Sequence, residues 1–199
     1  MDQQTFNNFV NNAIELFNNT MNNADEFYNN NGAAIQTSIE RYQHLRELYV
    51  AGDMQNFRNY FCWYYNMRFC SQRFKDAFFN KMIEFKDKGI VDPVAIAREF
   101  RPIDNRFNFS FCTKMANFIN DDNYPIYDSN IDMAFGFRVN IPGFSLERDS
   151  TDIYNILRET YSRLSDSPAI TDFRTRYGCP TIGTARILDF IFFNIGRNL

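Results

Sequence analysis

Apolar residues recur along most of this chain at three- and four-residue steps, the period of one helix face. Phe6, Phe9, Val10, Ala13, Phe17 and Met21 form the first such face, which predicts an N-terminal helix ending before Asn29–Gly32. A second helix is predicted from about residue 33 to 50, with Ile35, Ile39, Tyr42 and Tyr49 inside and Gly52 just beyond its end. His44 falls nine residues after Ile35, roughly 180° around that helix, so it should face solvent. Between Asp53 and Lys88 the spacing predicts two more helices, broken near Asn66–Ser71. Phe74, Phe78, Met82 and Phe85 make the clearest stripe there, a core face or, as the alternative, a base-stacking platform. Gly89 should end that stripe, and Asp92–Pro93 supplies an N-cap and a first-turn proline for a helix through Phe100.

The second half follows the same period with one interruption. Residues 107–120 read as a helix closed by the polar turn Asn120–Asn123. Pro125 forces Tyr124 out of helical geometry, so YPIYDS (124–129) should be extended, with a new helix from about Asn130 to Phe135. Phe135, Phe137, Val139 and Ile141 then alternate with Gly, Arg and Asn, which predicts a brief strand or extended loop over 135–141. Three helices complete the chain: one from near Ser150, one from Ser167–Pro168 to Gly178, and one over about 182–195 that is apolar nearly all round. With no linker and no repeat, 199 residues point to one all-α domain, a multi-helix orthogonal bundle on which the Asn-rich segment 1–31 packs as an N-terminal helix.

Composition narrows the function classes. Aromatic residues make up 18% of the chain, enough apolar volume for a core without disulfides or metals. The four cysteines are scattered with no CxxC pair, so Cys62 and Cys70 read as structural thiols in aromatic surroundings. A single histidine argues against a Cys/His zinc site, and no metal or cofactor is expected. The N-terminus lacks the charged and apolar regions of a secretory signal and no run of 18 apolar residues occurs, so the expectation is a cytoplasmic protein without a membrane span. The formal charge of −3 disfavours general attraction to nucleic acid. Residues 51–110 are the exception, with 10 basic and 7 acidic side chains interleaved with aromatics.

No Walker loop, GxGxxG, HExxH or GxSxG pattern is present. The strongest local constellation is residues 108–131. Ser110 and Lys114 are one helical turn apart on a shared face, and Asp128 follows the proline-fixed segment, positioned either to cap the next helix or to act in chemistry. Asp189, flanked by Ile187, Leu188, Phe190 and Ile191, should be partly buried and therefore needs donors or a cationic partner.

The segment YPIYDSNI (124–131) and the helix before it resemble the second half of the helix-hairpin-helix motif of the DNA glycosylase superfamily. The resemblance covers about 30 residues. It implies a glycosylase-like scaffold with Asp128 at the catalytic carboxylate position. Ser110, 18 residues earlier, stands where bifunctional members carry a lysine nucleophile, and Lys114 lies one turn on. It further implies Tyr127 as a surface for an extruded base and DNA contact through the basic 51–110 region. The glycine hairpin of that family reads Arg106–Phe107–Asn108 here. The longer segment is also similar to uncharacterised bacterial helical proteins of about this size, which carry an Asp before an aromatic pair as at Leu188–Asp189–Phe190. Two functions therefore stand side by side: a DNA- or nucleobase-directed protein, if enzymatic an N-glycosidic hydrolase, with Ser110, Tyr127 and Asp189 on the substrate side; or a non-enzymatic helical binding or regulatory module for a protein partner, with a mobile-element or phage-defence setting as one context.

Overall fold

The computed structural model describes residues 1–86, 88 and 91–199, and among them it is an all-α multi-helix bundle without a strand. The order is α1 (Gln3–Asn22), α2 (Ala24–Val50), α3 (Met54–Tyr64), a single 3-10 turn (Met67–Phe69), α4 (Gln72–Lys86), α5 (Pro93–Asp104) and α6 (Phe109–Ile119). The second half adds α7 (Ser129–Phe135), α8 (Phe137–Asn140), α9 (Leu146–Leu164), α10 (Pro168–Tyr177) and α11 (Thr184–Arg197). Every helix contributes buried side chains to one continuous core. No described helix is long and apolar enough to cross a membrane.

The asparagines of α1 fall on its solvent face. Asn7, Asn8, Asn11, Asn12, Asn18 and Asn19 are exposed, while Phe9, Val10, Ala13 and Phe17 are buried against α7 and α9. The loop expected at Asn29–Gly32 does not form. The break comes earlier, at Asn23, and α2 runs straight through the asparagine cluster. Asn31 explains why. It is buried, its amide donates to the Phe27 carbonyl, and its Oδ1 accepts from Arg197 and Asn198 at the end of α11. A residue that favours turns because it competes for backbone partners is tolerated in mid-helix once all its groups are engaged.

Aromatic rings join the first half together. Phe118 of α6 lies 5.1 Å from Tyr49, 5.2 Å from Phe57 and 5.9 Å from Phe61, which locks α2 and α3 onto α6. Phe74, Phe78 and Met82 are buried and Phe85 packs beside them, so that stripe is core and offers no surface to a base. The expected end of α4 at Gly89 lies outside the described residues.

The strand or extended loop expected over 135–141 is instead two helices meeting at Gly136. This residue ends α7 with φ of 67°, a left-handed conformation that glycine adopts without strain. Phe135 and Phe137 stack at 5.3 Å inside the core, whereas Val139 is exposed, so the alternation marks a helix junction and not a sheet face. The helix expected from Ser150 begins earlier, at Leu146.

Candidate functional site

The site begins with how α11 is held. The turn after α6 caps it: Asp122 accepts from the Thr184 amide, the Asp121 carbonyl accepts from the Arg186 amide, and the Asp121 carboxylate accepts from Gly183 N and the Tyr42 hydroxyl. A side chain at Gly183 would meet the Asp121 backbone at 2.3 Å, so only glycine permits this approach. The first two turns of α11 then carry two charged residues, Arg186 and Asp189, into an otherwise apolar interior.

Asp189 organises the segment that interrupts the helical pattern. Its Oδ1 accepts from the Ile126 amide at 2.9 Å and the Tyr161 hydroxyl at 3.0 Å, and its Oδ2 accepts from Asn117 Nδ2 at 3.0 Å. Asn117 also donates to the Tyr124 carbonyl, and Thr113 accepts from the Tyr127 amide. The extended backbone of 124–128 has no helical or sheet partner, so side chains of α6 and α11 supply its hydrogen bonds. Desolvation pushes the Asp189 carboxyl well above the ordinary carboxylate range, opposed by Arg186, the Ile126 amide and the Tyr161 hydroxyl. The hydrogen-bonding geometry is that of an acceptor.

This scaffold presents one face to a cavity of about 720 Å³ bounded by α2, α3, α6, α7 and α11. Asp128, Lys114 and Asp189 all line it, the first two from the 108–131 constellation and the third from α11. Asp128 is the N-cap of α7, its Oδ1 accepting from the Asn130 and Ile131 amides at 3.0 Å each. Lys114 lies deep in the molecule yet keeps accessible surface toward the cavity; its Nζ donates to Ser110 Oγ at 3.1 Å and sits 5.6 Å from the Tyr65 ring centre. Burial pulls its ammonium below the ordinary 10.5, and Asp128 partly offsets this.

The cavity also gathers residues that the sequence alone did not single out. Arg186 spans it: Nη1 is 3.8 Å from Asp189, Nη2 donates to the Tyr64 hydroxyl at 2.7 Å, and the guanidinium lies 4.2 Å from the Phe190 ring centre. Arg41 lies over Trp63, 5.0 Å from its ring centre, and Arg68 and Tyr65 complete that side. Arg186 was findable. An arginine three residues before Asp189, in a helix apolar on every side, is as anomalous as the aspartate and is its natural partner.

Other expectations are adjusted. Tyr127 is not a cavity surface: its ring is buried 5.3 Å from Phe109, and burial pushes its hydroxyl up to about 12. Ser110 reaches the site through Lys114, half-buried one turn away on α6. Cys62, read as a structural thiol, is half-buried and lines the cavity, and burial pushes its thiol up; Cys70 is buried and all four cysteines are free. Much of the basic 51–110 region is engaged locally. Arg58 pairs with Asp76, Lys81 with Glu84 and Glu99, and Arg106 with Asp104. His44 is exposed, as its helical position requires, and stacks edge-on to Tyr60. Comparisons with protein-family models, curated proteins and solved structures give no significant match to this chain.

Proposed function

We propose that this cavity directs the protein to DNA or to a nucleobase, on a glycosylase-like helical scaffold. The observation that carries the reading is the convergence of Asp128 and Lys114 on one cavity with Trp63, Tyr64 and Tyr65. The aromatic side chains suit the flat face of a base drawn out of a strand. Arg41 and Arg68 suit the backbone that accompanies it. In an N-glycosidic cleavage, Asp128 would orient water or stabilise the oxocarbenium ion as the base departs. Lys114, with its depressed ammonium, would contact phosphate or serve as an amine nucleophile.

One observation favours a second reading, a non-enzymatic helical module. Asp128 has a complete structural explanation as the cap of α7. Asparagine caps as well as aspartate, so Asp128→Asn preserves that role while removing the charge. Alanine at the same position removes both and should cost about 1 kcal/mol of stability.

The test is binding to fluorescent single-stranded, double-stranded and abasic-analogue DNA, titrated from low to physiological salt. Salt-sensitive binding that prefers the abasic duplex and weakens in Asp128→Asn and Lys114→Ala, with thermal stability retained in Asp128→Asn, supports the DNA reading. Absence of binding to every DNA at low salt removes it and leaves the protein-partner reading. Cleavage of damaged bases, with borohydride trapping dependent on Lys114, separates catalysis from binding.

A further inference from the structure

The charges and donors of the cavity are not balanced. Among the described residues four cations line it, Arg41, Arg68, Lys114 and Arg186, against two carboxylates. Both carboxylates already have work: Asp189 accepts through both oxygens, from Ile126 and Tyr161 on Oδ1 and from Asn117 on Oδ2, and Asp128 caps α7 through Oδ1. Two donors of residues that line it, Arg186 Nε and the Tyr65 hydroxyl, are buried and have no hydrogen-bond partner among the described residues. Lys114 has three donor hydrogens and one acceptor, Ser110 Oγ. A buried donor without an acceptor keeps the cost of its desolvation uncompensated. Water relieves that penalty but leaves the surplus of positive charge standing.

From this geometry we infer that the Arg186, Tyr65 and Lys114 corner of the cavity is a phosphoryl subsite, binding the monoester phosphate of a nucleotide whose base stacks on the aromatic wall. A phosphate monoester brings three strong acceptor oxygens and about −1.5 to −2 of charge, which matches three donor groups and a formal surplus of two. Charge-assisted hydrogen bonds to it from arginine are about twice as strong as neutral ones. The nucleotide is either free or the 5′-phosphorylated end of a strand. The assignment of the aromatic part rests on the nucleobase-directed reading; the anion subsite stands on the unmatched donors.

The test uses the full chain and Trp63, the one tryptophan, which lines the cavity and reports occupancy by fluorescence. Calorimetry provides the affinities. The ligands are the deoxynucleoside 5′-monophosphates, the corresponding nucleosides, inorganic phosphate, and a short single strand with and without a 5′-phosphate. The expected result is that a monophosphate, free or at a strand end, binds at least about tenfold tighter than its dephospho counterpart. Tyr65→Phe, which keeps the ring, and Arg186→Lys, which keeps the charge, should each reduce that preference several-fold with circular dichroism unchanged. Preference for the free nucleotide alone identifies a free ligand; preference only in the oligonucleotide identifies a strand end. Equal affinity with and without phosphate, no binding of any phosphorylated ligand, or an undiminished preference in Tyr65→Phe overturns the subsite. If duplex and abasic DNA still bind in that case, the DNA reading survives its loss. If free monophosphates bind while no DNA does, the subsite stands and the DNA reading falls.

Discussion

The two sides of the cavity are built on opposite terms. On the side of α6, α11 and the 124–128 segment, the charged group is saturated: Asp189 accepts three hydrogen bonds from three different parts of the fold. On the side of α3 and its following turn, Tyr65 keeps a buried hydroxyl without a partner, and Trp63 is more than half exposed. Arg186 belongs to both, 3.8 Å from Asp189 on one side and bonded to Tyr64 on the other, with Nε unmet. Saturated polar groups fix geometry, whereas unsaturated ones retain capacity for a ligand. Substitutions on the first side should therefore cost stability, and those on the second should cost binding.

The largest expected effect comes from breaking the saturated side at its centre. Asp189→Ala strands the Ile126 amide, the Tyr161 hydroxyl, the Asn117 amide group and a buried arginine together, and removing one partner of a buried pair costs about 3–5 kcal/mol. Urea denaturation should show that loss. Asp189→Asn should fall between, since its carbonyl still accepts from Ile126 while its amino group faces donors. A loss below about 1 kcal/mol for the alanine variant would mean that the hydrogen bonds around Asp189 do not organise this wall.

A smaller effect should follow from prying α7 off α11. Gly196 lets the two helices touch, and a Cβ there would fall 1.8 Å from the Asn130 carbonyl oxygen. Gly196→Ala must displace the helix that Asp128 caps, at a cost of about 1–3 kcal/mol for overpacking. The expected readout is a lower melting temperature together with weakened ligand binding, because the displaced helix carries Asn130 and Ile131 on the cavity wall.

This contrast also explains which features were legible in the sequence. The helices of the core were readable because burial imposes a period on the chain, as in the stripe Phe74, Phe78 and Met82 or the all-round apolar α11. Asp128 and Asp189 were readable because a carboxylate in those surroundings needs an explanation. The passage of α2 through the asparagine cluster and the junction at Gly136 were not, since distant partners enter both: Asn31 is stabilised in mid-helix by residues at the other end of the chain, and Phe137 and Phe135 beside Gly136 pack on Phe9 and Phe192. The same holds for the cavity. Arg41, Trp63, Tyr65 and Arg186 come from three helices and the turn beyond α3, and no local pattern records that they converge. Tyr127 sits beside a cavity residue in sequence and on the opposite side of the backbone in space, where Phe109 covers it.

The smallest predicted effect tests by pH the cation that α6 turns toward the cavity. Lys114 is held below its ordinary 10.5 by burial, with Asp128 acting in the other direction. A base with a lowered folded-state value binds fewer protons folded than unfolded between the two values, so stability rises with pH through that window. Below the folded value the lysine is charged in both states and the full desolvation cost remains. Lys114→Met removes the amine and with it this dependence. The variant should therefore be as stable as the parent or more so near neutrality, by a small margin given the surface Lys114 keeps in the cavity, and the advantage should shrink as pH approaches 10.5. Tyrosines that ionise at high pH are common to both proteins, so the difference between the two denaturation curves isolates the lysine. A difference that stays flat from neutrality to about pH 10 would show an amine that is not depressed. Filling the cavity with a nucleoside monophosphate should reverse the ordering, because an anion beside Lys114 favours its charged form and so binds the parent more tightly than the variant.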